Sequence, residues 1–235
     1  MTPAQKSPLF NALFWRYIRR LLTRQFGRIL YRPSSFALDR PTIYIANHHT
    51  WWDGFFAFAL NEVHFHQRLH LMMGAEQFAK FRFFRRLGVF SVDQASPSDV
   101  VSAFRYSVRI LTQTKSPSLW IFPAGEMLPA GSPVHYRDGF ARIARAATGA
   151  HIVPVAFWSG FTEGQYPDVV LEPGEAITCE GRTAEELFAR GTSALDQLVA
   201  RLRRRIVEGD LGEFRVLLKG RSSVSQRYAR FSGAE

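Results

Sequence analysis

Along this chain, short apolar runs rich in β-branched and aromatic residues alternate with longer segments of helical periodicity. Strands that alternate with helices indicate an α/β domain, and we expect a mixed central sheet flanked by helices. The predicted strands are Thr42–Ala46, Arg68–Met72, Gly88–Asp93, Ser118–Phe122, Ile152–Phe157 and Val169–Leu171, and Ala176–Thr178 extends or pairs with the last of these. The predicted helices are 8–31, 55–60, 75–87, 96–111, 139–148 and 183–207, and the last opens on a capping box at Thr183.

Size and composition favour one globular domain with small additions. The chain has 235 residues, of which 46% are hydrophobic. We assign 1–35 to a basic amphipathic helical segment that associates with membranes, 36–220 to the main domain and 221–235 to a loosely ordered tail. The single cysteine, Cys179, excludes an internal disulfide and a multi-cysteine zinc site, and it fits a reducing cytosol. Neither a signal peptide nor a membrane-spanning helix is expected, because arginines interrupt the N-terminal apolar run.

A formal net charge of +10 accompanies 21 phenylalanines and five tryptophans. Such a composition suits an anionic membrane surface and also suits nucleic acid. In the first helix, Arg16, Arg20, Arg24 and Arg28 form a row at i, i+4 spacing without an acidic partner. That helix either lies in a lipid interface or packs on the domain with a solvated arginine face. The arginines cluster with bulky aliphatic residues and no nucleic-acid-binding motif is present, which favours lipid.

The periodicity of two further helices predicts which faces they bury. In 75–87, Phe78, Phe81 and Phe84 are expected to pack inward, although aromatic and cationic side chains there also suit a lipid contact. In 96–111, Ile110 is expected to fall outside the buried side. The residues predicted for that buried side are Val100, Val101, Phe104, Val108 and Leu111.

Two strand-end turns of unusual composition point to one functional site. In α/β domains, function collects where the carboxyl ends of strands meet the amino ends of helices. His48 and Asp53 follow the strand Thr42–Ala46, and Pro123-Ala124-Gly125 follows Ser118–Phe122. Histidine is the usual general base near neutral pH, and a turn would allow Asp53 to orient it. Alternatively, the two residues are an ordinary loop pair, with Asp53 as a helix cap or first-turn acid.

Four elements occur in a fixed order: Asn47-His48-x-Thr50-x-x-Asp53, Gly88–Asp93, Phe122-Pro123-x-Gly125 and Val153-Pro154-Val155. Together they resemble the glycerolipid acyltransferase family, whose members acylate glycerol 3-phosphate, lysophosphatidic acid and related lipids. The resemblance covers residues 40–160, with each element in a predicted strand or at its end. It implies that 36–220 is an acyltransferase domain.

Two arginines of the family pattern are absent. The family's third element usually reads Phe-Pro-Glu-Gly-Thr-Arg, whereas 122–127 reads Phe-Pro-Ala-Gly-Glu-Met, and Gln94 replaces the arginine of the second element. In relatives these arginines are implied to bind the acceptor's phosphate. We therefore expect an acceptor other than lysophosphatidic acid, such as another lysophospholipid, an amino-acid lipid or a glycosylated isoprenoid. Arg86 and Arg137 are candidate replacements.

The resemblance implies acyl transfer from a thioester to an alcohol. His48 would take the proton of the acceptor hydroxyl, and Asp53 would orient His48 and stabilise the imidazolium. Backbone N–H groups at the Gly125 turn are candidate oxyanion donors, and Glu126 is a candidate for holding the acceptor. The predicted substrate-binding residues are Phe122, Pro123, Gly125 and Glu126. Four aromatic residues either line an acyl-chain trough or belong to the core: Trp51, Trp52, Phe55 and Phe56.

Neither a cofactor nor a metal is expected, and acyl-CoA or acyl-ACP would serve as co-substrate. An acyl-enzyme is not required, since Cys179 and the serines lack a nucleophile motif. His48, His49 and Asp53 have the chemistry of metal ligands, but adjacent histidines of an extended chain point to different sides. His49 is therefore assigned to packing or to the polar surface.

The expected partners are an acyl thioester donor, a lipid acceptor, a membrane surface and, for one donor class, acyl carrier protein. The expected location is cytoplasmic, peripheral on the inner face of the cell membrane. Two alternatives remain: a non-catalytic lipid-binding relative and a basic nucleic-acid-binding protein. The presence of both His48 and Asp53 argues against the first.

Overall fold

In a computed structural model, the described residues are 1–34, 36, 39–129, 131–162, 164–222 and 224. They form a nine-stranded sheet flanked by helices. The strands are β1 Arg28–Tyr31, β2 Thr42–Ala46, β3 Arg68–Gly74, β4 Val89–Val92, β5 Pro117–Ile121, β6 His151–Gly160, β7 Asp168–Pro173, β8 Ile177–Thr178 and β9 Arg215–Lys219. The α-helices are α1 Pro8–Gln25, α2 Asp53–Leu60, α3 Ala75–Lys80, α4 Pro97–Gln113, α5 Gly139–Ala146 and α6 Ala184–Glu208, with a π-helical turn at Asn61–Phe65 and a 3₁₀ helix at Arg82–Leu87.

The sheet is mixed, as predicted. Its strands lie in the order β4-β3-β5-β2-β6-β7-β1-β9, and β8 pairs with β6. The central strand β2 runs parallel to β5 and β6, while β7 is antiparallel to β6. The carboxyl ends of β2 and β5 therefore lie side by side, and this row of strand ends forms one edge of the sheet.

Both faces of the sheet are covered, because every residue of β2 is buried. Tyr44 and Ala46 pack in the cluster that contains α1 and α2, while Ile43 and Ile45 pack in the cluster that contains α4, α5 and α6. The sequence of β2 is accordingly a continuous apolar run. This two-sided burial holds the turn after β2 in a rigid position.

The first helix is shorter than predicted. It ends at Gln25, and residues 28–31 form β1, which pairs parallel with β7 and antiparallel with β9. The predicted arginine row therefore loses Arg28, whose Nε lies 2.9 Å from Oδ2 of Asp168. The inner face of α1 packs on the domain through the buried Ile18 and Leu22.

Three finer predictions are wrong. In α4 the buried residues are Ala103, Ser107, Ile110 and Leu111, whereas Val100 and Val101 are 42% and 47% exposed. Leu111 is buried as predicted, whereas Ile110, which was expected to fall outside the buried side, is also buried. The buried face is therefore turned away from Val100 and Val101 and toward Ala103 and Ser107. The helix predicted over 75–87 divides into α3 and the 3₁₀ helix, although Phe78 and Phe84 are buried as expected. The strand β8 pairs with β6 rather than with β7.

The last helix begins with the predicted capping box: the Thr183 hydroxyl accepts from the Glu186 N–H, and the Glu186 carboxylate accepts from the Thr183 N–H. Most of the segment 221–235 predicted as a tail lies outside the described residues.

Candidate active site

The two strand-end turns meet at one edge of the sheet. The ring of His48, in the turn after β2, stacks on the ring of Phe122, which follows β5, with 4.4 Å between ring centroids. The backbone N–H of Leu128 donates to the carbonyl of His48 at 3.0 Å, which ties the loop after β5 to the turn after β2. The parallel register of β2 and β5 thus brings together residues that are more than 70 positions apart in sequence.

His48 and Asp53 form a hydrogen-bonded pair at this edge. Nδ1 of His48 lies 2.8 Å from Oδ2 of Asp53, and the Asp53 side chain is completely buried at the start of α2. Oδ2 also accepts the N–H groups of His49 at 2.7 Å and Thr50 at 2.9 Å. The Thr50 hydroxyl donates to Oδ1 at 2.7 Å. The turn between residues 47 and 52 therefore folds around this one carboxylate.

These contacts determine the tautomer of His48. An ionised carboxylate only accepts hydrogen bonds, so Nδ1 carries a proton, and Nε2 is the nitrogen that holds the lone pair in the neutral imidazole. Burial alone would raise the pKa of Asp53, but the hydrogen bond from His48, the nearby His49 and the two hydrogen bonds from Thr50 lower that pKa below its ordinary value. The carboxylate of Asp53 is thus kept ionised beside Nδ1 of His48, which is the arrangement that a histidine general base requires.

Asn47 and Thr50 support the turn, a role that was not predicted for either residue from the sequence. The Asn47 side chain donates to the carbonyl of Phe157 at 2.9 Å and accepts from its N–H at 2.8 Å, so it clamps the turn onto β6. A polar residue directly after a buried strand was the available signal for Asn47, and the hydroxyl three positions before Asp53 was the signal for Thr50.

His49 also faces Asp53, contrary to the expectation that the two histidines point to different sides. Its Nδ1 lies 3.8 Å from Oδ2 of Asp53 and 3.1 Å from Nδ2 of Asn47. The chain turns at this point and is not extended, so the alternation of a strand does not apply. Burial lowers the pKa of His49, and the charge of Asp53 only partly opposes that effect. His49 is therefore a packed, neutral partner of the turn.

A cavity of about 440 Å³ opens beside His48. Its walls are mainly apolar and include Phe55, Phe58, Leu71 and Phe84. The lining also contains His48 and all but one of the predicted substrate-binding residues, namely Phe122, Gly125 and Glu126. An apolar cavity that borders a histidine paired with a buried carboxylate suits an apolar ligand with a polar group at its end.

The turn at Gly125 forms the other side of the site. Gly125 has φ +76, and its N–H donates to the carbonyl of Phe122 at 2.9 Å, so this N–H does not face a ligand. The N–H groups of Ala124 and Glu126 make no hydrogen bond to any described residue. A methyl group added to Gly125 would lie 2.7 Å from Nε of Arg137 and 3.2 Å from Nε2 of Gln94. The structure thus places Arg137 and Gln94 directly over the turn.

The model of the family described as "Acyltransferase" matches residues 27–158 of the chain. The chain belongs to the acyltransferase family. A crystal structure of the 1-acyl-sn-glycerophosphate (LPA) acyltransferase PlsC from Thermotoga maritima is similar in fold, with a TM-score of 0.59 and 18% sequence identity over 83% of this chain and 79% of that chain. A search of curated proteins gives no match.

In this acyltransferase the four aromatic residues that were candidates for an acyl-chain trough fall into two pairs. Trp51 and Phe55 line the cavity, and Trp51 is 52% exposed at its edge. Trp52 packs against Phe26 with ring centroids 5.6 Å apart, and Phe56 is fully buried in the core. Two of the four aromatic residues thus line the cavity, and the other two pack in the core.

Pro123 does not line the cavity of the acyltransferase. It is buried, and its carbonyl accepts the N–H of Arg137 at 2.9 Å. Arg86, the other candidate to replace the missing arginines, lies over the ring of Phe10 at 5.5 Å from its centroid and does not line the cavity. Of the two candidates, the structure places only Arg137 at the turn.

Across the described ranges, no group of three or more His, Cys, Asp or Glu side chains is arranged to hold a metal ion. Among the helices of the same residues, none combines the length and apolar character needed to cross a membrane.

Proposed function

We propose that this acyltransferase moves an acyl group from a thioester donor to the hydroxyl of a lipid acceptor, with His48 as general base. The observation that carries the proposal is the setting of His48: its Nδ1 is bound to the buried Asp53 at 2.8 Å, and its ring lines an apolar cavity. A base beside an apolar cavity suits a reaction between two lipid-like substrates.

In the proposed reaction, Nε2 of His48 accepts the hydroxyl proton while the acceptor oxygen bonds to the thioester carbonyl carbon. The tetrahedral intermediate then collapses with cleavage of the carbon–sulfur bond, and the imidazolium returns the proton to the leaving thiolate. Asp53 stabilises the imidazolium in between. The unpaired N–H groups of Ala124 and Glu126 are the candidate donors to the oxyanion.

The acyl chain of the donor, acyl-CoA or acyl-ACP, is proposed to occupy the apolar cavity. Direct attack by the acceptor needs no acyl-enzyme and no cofactor. Cys179 does not suit a nucleophile, because it is buried after β8. That strand pairs with the amino end of β6, at the edge opposite to His48.

The proposed acceptor is a lysolipid other than lysophosphatidic acid. PlsC of Thermotoga maritima is described as an LPA acyltransferase, and the likeness to it supports a lipid acceptor. However, Gln94 and Met127 occupy the positions where the family pattern has arginine. A phosphomonoester, which carries close to two negative charges at neutral pH, would lose both of its expected cationic ligands.

We also propose that the enzyme works at an anionic membrane surface, bound through α1. Leu9, Leu13 and Tyr17 form an exposed stripe at i, i+4 spacing, with exposed fractions of 72%, 58% and 62%. Arg16, Arg20 and Arg24 form the neighbouring row, and none has a carboxylate within 4.0 Å in the described chain. Apolar side chains flanked by unpaired arginines suit a headgroup interface, and the cavity-lining Phe14 connects this helix to the site.

The reaction is tested with the purified protein, acyl-CoA or acyl-ACP, and a panel of lysolipids in mixed micelles. We expect thiol release that depends on the acceptor and equals the acylated lipid formed. Lipid profiles of a deletion strain would then identify the natural acceptor. If no donor is cleaved with any acceptor while lipid is still bound, the protein is a non-catalytic relative. If lysophosphatidic acid is clearly the best substrate, the proposed acceptor class is wrong.

Membrane binding is tested by flotation with vesicles that contain anionic lipid, next to a nucleic-acid shift assay at the same salt concentration. Leu13→Glu should weaken vesicle binding by roughly tenfold, because a charge replaces an apolar side chain at the interface. Val207→Glu is the matched control, since Val207 is an exposed apolar residue on α6. Binding to nucleic acid in preference to vesicles would contradict the membrane proposal.

A further inference from the structure

The backbone of Arg137 is anchored by a hydrogen bond, whereas its side chain has no partner among the described residues. Its N–H donates to the carbonyl of Pro123 at 2.9 Å, and the preceding Tyr136 donates its hydroxyl to Asp196 on α6. In contrast, the Arg137 guanidinium makes no hydrogen bond or ion pair with any described residue. The neighbouring Asp138 is already bound by Arg142 at 2.7 Å. The chain thus positions a cation whose charge has no partner among the described residues.

Arg137 lies at the Gly125 turn, which belongs to the third element of the family pattern. The Arg137 side chain lies over Gly125, where a methyl group would be 2.7 Å from Nε and 3.1 Å from Cδ. Gln94, which stands where the family pattern has an arginine, reaches the same point from the end of β4. A guanidinium and an amide therefore approach the same point at the Gly125 turn, next to Glu126, whose N–H has no partner among the described residues. Gln94, Gly125 and Glu126 also line the cavity. The guanidinium, the amide and the N–H of Glu126 can all donate hydrogen bonds to an oxyanion.

We infer that Arg137 binds a single negative charge on the acceptor, a phosphodiester or carboxylate close to the hydroxyl that is acylated. This inference rests on the proposed function, and it adds a residue that determines which acceptors are used. One guanidinium supplies one planar fork of donors, which matches one charged oxygen pair. The exposed carboxylate of Glu126 beside the turn disfavours a second negative charge. A monoanionic head group is therefore preferred over a phosphomonoester.

The experiment compares the full-length protein with Arg137→Gln, Arg137→Lys and the control Arg145→Gln. Arg145 is an exposed arginine in the last turn of α5, so its substitution makes the same charge change about 9 Å or more along the helix from the site. The acceptors are lysophosphatidylglycerol as phosphodiester, a lyso-form of an amino-acid lipid as carboxylate, lysophosphatidic acid as phosphomonoester, and monoacylglycerol as a neutral lipid. Each is measured with one donor for KM and kcat.

We expect Arg137→Gln to raise KM for a monoanionic acceptor by roughly 10- to 100-fold, with little change in kcat or in the use of monoacylglycerol. Arg137→Lys should be intermediate, since it keeps the charge and loses the fork. Arg145→Gln should behave like the unsubstituted protein. Equal losses for charged and neutral acceptors, or no loss for any charged one, would overturn the inference, and a preference for lysophosphatidic acid would overturn its single-charge part.

A binding measurement separates this inference from the proposed reaction. Calorimetry of the lysolipids with His48→Ala, with and without Arg137→Gln, reports on Arg137 without turnover. If the protein cleaves no thioester but His48→Ala binds a monoanionic lysolipid through Arg137, the reaction fails and the Arg137 site stands. If the enzyme acylates lysolipids and Arg137→Gln binds them unchanged, the Arg137 site fails and the reaction stands.

Discussion

The turn that carries His48 and the turn that carries Gly125 lie side by side at the edge of the sheet, yet they are held in different ways. In the first, a fully buried carboxylate accepts one ring N–H, two backbone N–H groups and one hydroxyl. In the second, Gln94, Glu126 and Arg137 are all exposed, and their side chains make no hydrogen bond to a described residue. The difference separates the preorganised turn of the proposed base from exposed polar groups that have no hydrogen-bond partner among the described residues.

This difference also explains which residues depart from the family pattern. A substitution within the His48 turn would leave buried donors or a buried carboxylate without partners, which is costly. Residues over the Gly125 turn are exposed, so they can change with the acceptor at little cost in stability. We therefore expect substitutions in the first turn to affect every substrate and those in the second to affect only some acceptors.

The largest effect is expected for His48→Ala. Loss of the base should lower kcat by about 10³-fold with every acceptor. The His48 side chain is 24% exposed and donates only one of the hydrogen bonds to Asp53, so the fold should persist, as circular dichroism would show. His49→Ala is the neighbouring control and should keep much more activity. Near-normal turnover of folded His48→Ala would remove His48 from the mechanism.

A smaller loss, roughly 10- to 100-fold in kcat, is expected for Asp53→Asn. An asparagine carbonyl in the place of Oδ2 can still accept from Nδ1 of His48, and its amide can donate to the Thr50 hydroxyl. The tautomer would then be kept, while the charge that stabilises the imidazolium would be lost. Steady-state rates of Asp53→Asn, Asp53→Ala and His48→Ala test this order. A loss for Asp53→Asn as large as that for His48→Ala would show that Asp53 does more than orient and stabilise.

The role of the Gly125 turn in acceptor binding is tested by Gly125→Ala. The new methyl group would displace the Arg137 side chain, and φ +76 would add strain of about 1 kcal/mol. We expect a rise in KM of roughly tenfold for charged acceptors and little change for monoacylglycerol, because His48 and Asp53 are untouched. Gly131→Ala is a matched control, since Gly131 also has positive φ and no atom of another described residue lies within 4 Å of an added methyl group. An equal loss with both kinds of acceptor would mean that the turn supports the reaction centre as well.

Sequence patterns predicted the parts of this molecule in which local periodicity and burial agree. The central strand β2 is a continuous apolar run, and it is buried on both faces as such runs usually are. The strand β1 was missed because the four residues Arg28–Tyr31 follow a helix with continuing helical spacing. Their strand conformation depends on β7, some 140 residues later. In α4 the pattern placed Val100 and Val101 on the buried side and Ile110 outside it, whereas the structure buries Ile110 and leaves both valines exposed, because the tertiary contacts of the helix determine which face is buried.

The residues of the site show the same distinction between features set by local sequence and features set by distant contacts. The spacing of His48 and Asp53 permits contact across a single turn, so their meeting could be anticipated locally. The position of Arg137 could not, because it depends on a loop of 12 residues after Gly125 that returns to Pro123 through one backbone hydrogen bond. No periodic pattern in the sequence indicates that this loop returns to Pro123. Spacing thus indicated the proposed reaction centre, whereas the candidate acceptor contact is visible only in the tertiary structure.

The smallest effect is expected for Cys179→Ala, and it tests whether the two turns alone make up the site. Burial raises the pKa of the Cys179 thiol to about 11, so almost no thiolate exists at neutral pH. The residue follows β8, which pairs with Ile152 at the amino end of β6, whereas His48 follows the carboxyl end of β2. Activity of Cys179→Ala should stay within about twofold, and a thiol-blocking reagent should not inhibit the native protein. A large loss in folded Cys179→Ala, together with an acylated cysteine trapped by mass spectrometry, would replace direct attack with a covalent intermediate.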